Sequence, residues 1–256
     1  MHYSVCIPAV LGKKEPAAAL DAVAAANFKR YEIWSWWDKD LEAYQKAQQK
    51  NQLTIAALCT NFISLTDPAC RQDYVNGLCN TIEVCRKLGC KTIISQVGQE
   101  LSDRSREEQH SGIVAGLSEC TSLLKDTDIT LVIEPLNTKI DHRGYYLWSS
   151  EEAFRIIDEV KDEHVKVLFD LYHQYIMDDL NIDRIVENID KIGHFHMAGY
   201  PGRHEPMIDS EIDYPKILKA ISETGYQGSV GLEYFPVHNA EEGLKLLNEQ
   251  LKSIFQ

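Results

Sequence analysis

Three carboxylates and a pair of imidazoles occupy the same kind of place in this chain, the end of a short apolar run. Glu134 lies late in ITLVIEPL (129–136), Asp170 late in VKVLFDLY (165–172), His194 and His196 in IGHFHMA (192–198), and Glu233 late in SVGLEY (229–234). A carboxylate among apolar neighbours is costly to bury unless something pairs with it. Singly, each residue has an ordinary explanation: a buried Glu meets an Arg or a hydroxyl, and a strand His is a satisfied core residue. Jointly, three carboxylates and an imidazole at adjacent strand ends would repel one another without a cation. No Lys or Arg stands at these ends to neutralise them, apart from Arg203 in the next loop. Oxygen ligands with one imidazole suit Mn²⁺, Mg²⁺ or Co²⁺ better than a structural zinc. His194 and His196, two apart, share one face of a strand in successive layers. Glu134 precedes Pro135, which biases it to an extended backbone.

The elements that must position these residues follow from the spacing of apolar runs. The strand candidates are 3–7, 31–36, 53–59, 91–98, 129–136, 165–172, 192–198 and 229–234. Between them lie helical patterns such as EPAAALDAVAAANF, DLEAYQKAQQKN and SSEEAFRIIDEV, and a Gly near several helix ends (RKLGCK, SETGYQG) suits a left-handed stop. Strands that are continuously apolar are expected where both faces are covered. Eight such strand-then-helix units in about 250 residues predict an α/β fold, a (β/α)8 TIM barrel, with its chemistry where the strands end. A doubly wound sheet is the alternative, but the Gly-rich nucleotide turn after the first strand is absent. No linker or repeat divides the chain, so a single TIM-barrel domain over 1–256 is expected.

Composition narrows the partners. With 26 Lys and Arg against 39 Asp and Glu, the net charge of −13 argues against nucleic acid and against an anionic membrane surface. A small neutral substrate is indifferent to that field. Seven cysteines, an odd number without a CxxC pair, speak against a disulfide framework or zinc ribbon and for a reducing cytosol. The first positive charges follow the initial apolar run rather than precede it, and no run approaches the roughly 18 residues of a membrane span. A cytoplasmic, soluble protein is therefore expected. Without a G-x-S-x-G elbow or a P-loop, acyl and phosphoryl chemistry have little support.

Other features carry less. His173, three residues after Asp170, could orient a ligand, touch substrate or be an ordinary loop residue. Arg203, in GYPGRHEP (199–206), could clamp a substrate oxygen or pair with Glu205 on the surface. The Trp residues of IWSWWDK (33–39) could wall a sugar pocket or pack into the core, and Cys79 and Cys85, in a helical stretch, read as core.

At these residues the chain resembles the hydroxypyruvate isomerase family, one of the xylose-isomerase-like barrels and a neighbour of the ketose 3-epimerases. IEPLN (133–137), FDLYH (169–173), GHFHMAGYPGRHEP (193–206), EIDY (211–214) and GLEYFP (231–236) match in order and spacing, and WSWWDKD (34–40) adds to them. The resemblance implies a divalent metal held by Glu134, Asp170, position 196 and Glu233, with His173 and Arg203 contacting substrate. This chain carries His196 where hydroxypyruvate isomerases have Gln and 3-epimerases have His. It also has Gly199 where those isomerases have Asp. The activity implied is isomerisation of a small carbohydrate or ketoacid by proton transfer through a metal-bound enediolate. Glu134 and Glu233 form the acid/base pair, and no organic cofactor is needed. A ketose 3-epimerase is the alternative. A sugar dehydratase, a metal-dependent endonuclease and a non-catalytic sugar-binding barrel rank below it, and a homo-oligomer is left open.

Overall fold

The structure, a computed structural model, describes residues 1–255. Eight parallel strands pair in chain order: β1 (His2–Cys6), β2 (Arg30–Ile33), β3 (Thr54–Cys59), β4 (Thr92–Ser95), β5 (Thr130–Ile133), β6 (Val165–Asp170), β7 (Ile192–Met197) and β8 (Ser229–Leu232). β8 pairs back onto β1, with His2 opposite Ser229 and Val5 opposite Leu232, so the sheet closes into the expected barrel and the doubly wound alternative falls. Among the described residues the helices are α1 (Ile7–Val10), α2 (Pro16–Ala25), α3 (Leu41–Asn51), α4 (Arg71–Leu88), α5 (Arg106–Leu124), α6 (Ser150–Val160), α7 (Leu171–Ile176), α8 (Ile182–Glu187), α9 (Tyr214–Glu223) and α10 (Ala240–Ser253).

Local signals account for the helix boundaries. At the start of α5, Ser105 Oγ accepts from the Glu108 amide while the Glu108 carboxylate takes the Ser105 amide, a reciprocal cap. Asp40 caps α3 through the Ala43 amide at 2.9 Å. Gly89 ends α4 with φ at 73°, where a side chain would be strained. Cys85 is buried as expected, but Cys79 faces solvent on the outer side of α4.

Apart from β1, the strands are shorter than the apolar runs that predicted them. Some of the surplus residues are buried too, Leu136 and Tyr234 beyond their strands and Tyr172 in α7, so the apolar run there continues past the last ladder bond. Alternation along each strand separates two cores. The larger one lies between sheet and helices, while Ala57, Cys59, Ile94, Val132 and Leu168 form a smaller cluster inside the barrel. Two residues on from Val132 and Leu168 come Glu134 and Asp170, and the same step leads from His194 to His196 and from Gly231 to Glu233. The candidate site residues therefore continue the inward-facing rows to the C-terminal mouth of the barrel, where this architecture does its chemistry. No helix among the described residues is long and apolar enough to cross a membrane.

Candidate active site

Asp170 ends β6 and His196 is the penultimate residue of β7, as expected. Glu134 and Glu233 stand one residue beyond β5 and β8 rather than within them. Each keeps one bond to the neighbouring strand: the Glu134 amide donates to Ser95 at 3.3 Å and the Glu233 amide to Met197 at 3.1 Å. The chain then departs, at Pro135 because proline has no amide to continue the ladder.

These four residues converge. One ligand atom from each of Glu134, Asp170, His196 and Glu233 lies within 4.8 Å of the others. His196 Nδ1 stands 3.4 Å from Glu134 Oε1 and 3.5 Å from Glu233 Oε2. Asp170 Oδ1 accepts from the Tyr172 and His173 amides at 2.8 and 3.1 Å, which caps α7 and fixes the carboxylate with Oδ2 free of them. All four are buried, yet Glu134 Oε1 and His196 Nδ1 have no hydrogen-bond partner. Buried polar atoms are normally satisfied, so two orphans aimed at one point, among three carboxylates, fit a divalent cation.

Arg203 does not pair with Glu205. Its guanidinium meets Glu233 Oε2 and lies over the rings of Tyr172 and Phe235 at 5.5 and 5.7 Å from their centroids, while Glu205 accepts from the Val237 amide at 3.2 Å. The other oxygen of Glu233 takes the Trp34 indole N–H at 2.6 Å. Thus a cation of the protein's own already faces one of the three carboxylates. Burial opposes ionisation of Glu233, but Arg203 and then His196 outweigh it and hold the carboxyl well below the usual range. Asp170 goes the other way: burial, reinforced by Glu134 and Glu233 and opposed by Arg203, pushes it up to about 7. Burial and Arg203 drive His173 well below its ordinary value, so its ring is neutral.

His173 has a defined tautomer. Asn137 Oδ1 accepts two backbone amides, from Ile140 and Asp141, both at 3.0 Å, so its amino group is the donor that meets His173 Nδ1 at 2.6 Å. The proton then sits on His173 Nε2, a buried donor without a partner, 3.6 Å from Asp170 Oδ2. A cavity of about 360 Å³ opens above these groups. Trp34, Phe62 and Phe235 wall it, and Gln96, Asp141 and His142 add polar edges. Of the aromatic run, Trp34 lines the site, Trp36 packs against the core, and Trp37 sits edge-on to Phe62, 5.4 Å between centroids.

Sequence reasoning missed Asn137 and Glu32. Glu32 is buried in β2 and meets both strand-seven histidines: Nε2 of His194 donates to Oε1 at 3.0 Å and Nε2 of His196 to Oε2 at 2.9 Å. The available signal was the same as for the other carboxylates, a bare Glu inside the apolar run YEIW.

Comparison with known proteins agrees with the barrel fold. The family described as "Xylose isomerase-like TIM barrel" matches residues 18–250. A hydroxypyruvate isomerase of Escherichia coli (strain K12) is 28% identical over 256 residues, covering 97% of this chain and 98% of its own. A 2-oxo-tetronate isomerase of Cupriavidus necator is 29% identical over 184 residues, covering 72% and 70%. Among solved structures, an AP endonuclease, family 2, from Brucella melitensis superposes with a TM-score of 0.90 at 23% identity, covering 97% and 99%. The IOLI protein with a bound zinc atom superposes at 0.80 with 18% identity, covering 99% and 98%. At such identities these two structures speak for the fold alone. With the family matched from residue 18 to 250 and named isomerases among its relatives, the chain belongs to the xylose isomerase-like TIM-barrel family and is an isomerase homologous to the hydroxypyruvate isomerases.

Proposed function

We propose that this chain is a divalent-metal-dependent isomerase that moves a proton between neighbouring carbons of a small carbohydrate or ketoacid. Glu134, Asp170, His196 and Glu233 hold the cation, Mn²⁺ or Mg²⁺ by their oxygen-rich chemistry. The observation that carries this reading is the pair of buried, partnerless atoms, Glu134 Oε1 and His196 Nδ1, 3.4 Å apart beside two further carboxylates. When bound, such a cation supplies Lewis acidity beside a substrate's carbonyl and hydroxyl oxygens.

The protein's own groups do the rest. Glu134, which lines the cavity, takes the proton from the carbon next to the carbonyl. The neutral His173 offers its Nε2–H to a substrate oxygen, and the Arg203 guanidinium stands at the cavity wall to stabilise the enediolate that forms. Return of the proton to the neighbouring carbon completes the isomerisation. The aromatic walls keep bulk water from the reacting carbons.

A 3-epimerase is the second reading, favoured by one specific feature. Glu134 and Glu233 follow different strands and both line the cavity, so a second carboxylate is at hand for the same substrate. Removal by one and return by the other to the same carbon inverts that centre. An endonuclease fits poorly with a cavity of about 360 Å³ and a net charge of −13.

The test is incubation of the Mn²⁺-loaded protein with three- to six-carbon ketoses and ketoacids in D2O, with products read by NMR. Deuterium entering at the exchanged carbon of a new isomer is expected, with turnover lost in excess chelator and restored by Mn²⁺ or Mg²⁺. Full turnover in chelator, with metal absence confirmed, rejects the reading.

A further inference from the structure

We propose that Glu32 is a positioning residue: it holds His196 in the one tautomer that leaves Nδ1 open to a divalent cation, and Gly231 keeps the room for it to do so. The inference rests on the metal-site reading above and concerns residues that lie behind the cavity rather than in it.

Glu32 is 1% exposed, and its two oxygens are fully used. Oε2 accepts from His196 Nε2 at 2.9 Å; Oε1 accepts from His194 Nε2 at 3.0 Å and from the Ser4 hydroxyl. A carboxylate offers only lone pairs, so the ring nitrogen facing each oxygen must carry the proton. A neutral imidazole has one N–H. With that proton on Nε2, the Nδ1 of His196 is a bare lone pair, and it points toward Glu134 and Glu233. Without Glu32, those same carboxylates would draw the proton to Nδ1, and an N–H would stand where the cation belongs. The two imidazole rings lie edge to face, 5.1 Å apart at 82°, which brings both Nε2 atoms onto one carboxylate.

Glu32, His194 and His196 could be taken for a second cation site. Their facing atoms are already bonded to one another, which assigns them to support. The space is equally specific. A Cβ on Gly231 would fall 2.5 Å from Glu32 Oε1 and 2.5 Å from the His196 ring, so a side chain there must displace one of them. A buried charge that served packing alone would be replaced without loss by an apolar side chain. Orientation of the ligand is the gain that an apolar residue does not offer.

Glu32→Gln tests this, since it keeps the volume but cannot accept on both sides. The expected result is a fall in Mn²⁺ affinity of about 10–100-fold, the usual cost of losing such a partner, measured by calorimetric titration of the folded variant. Unchanged affinity overturns the inference while leaving the metal site standing; failure of the wild-type protein to bind Mn²⁺ overturns both. Should the variant not fold, ¹⁵N-histidine NMR of the wild-type protein loaded with diamagnetic Zn²⁺ decides. A proton on Nε2 of His196 is expected, and a proton on Nδ1 overturns the inference.

Discussion

Glu134 and Glu233 carry the same side chain in different surroundings. Glu134 Oε1 has no partner, whereas Glu233 is held by Trp34 on one oxygen and Arg203 on the other. Conversion to Gln should therefore separate chemistry from structure. Glu134→Gln is expected to lower kcat by about 10²–10⁴-fold, the usual worth of a general acid or base, with thermal unfolding near that of wild type. Glu233→Gln is expected to lose rate and also stability, because it leaves the largely buried Arg203 without its counter-charge, a change of about 3–5 kcal/mol when a buried pair is broken. Rates at saturating Mn²⁺, metal content and unfolding temperature are the measurements. A Glu233→Gln variant as heat-resistant as wild type would show that the ion pair does not hold this corner of the site.

At the level of elements, each candidate ligand stands at the end of the inward-facing row of its strand, and a row is only as good as its neighbours. Gly231 is the clearest case, since β8 passes the Glu32–His196 contact with no room for a methyl group. Gly231→Ala is expected to destabilise the fold by about 1–3 kcal/mol through overpacking and to weaken Mn²⁺ binding at once. Normal metal affinity in this variant would count against the strain reaching His196. This dependence also explains what could be read from the chain alone. Eight apolar runs, four of them with polar residues late in the run, were legible because an apolar run is a local signal, and so Glu134, Asp170, His196 and Glu233 could be named together. Glu32 carried the same local signal, a bare Glu in YEIW; what the letters hid was its role, because its partners lie 162 and 164 residues further on and the folded barrel is what joins them. Asn137 escaped for a different reason: its value lies in a turn geometry that sets the tautomer of His173, and nothing in the letters IEPLN displays it. The pairing of Arg203 with Glu233 was not among the options the sequence offered, because the two meet only once the 199–206 loop has a path.

For the whole molecule, the candidate ligands come from β5, β6, β7 and β8 or the residue after them, so a bound cation would tie half of the ring together. Binding to the folded form alone stabilises it by about 2.7 kcal/mol at a hundred times the dissociation constant. For a chain of this size that corresponds to a rise on the order of 5–10 °C in unfolding temperature. Differential scanning calorimetry with and without Mn²⁺ checks it, and Asp170→Asn should reduce the rise. No rise at saturating Mn²⁺ would mean that the strands are not joined through the cation. Trp34 follows β2 at the mouth and reaches past the end of β1 to the carboxylate that follows β8. An indole whose N–H rests on a carboxylate changes its emission when that carboxylate changes partner or charge. The barrel therefore carries its own optical gauge at the centre of the site: with Trp36, Trp37 and Trp148 replaced by Phe, the emission of Trp34 is expected to shift when Glu233 changes partner or charge.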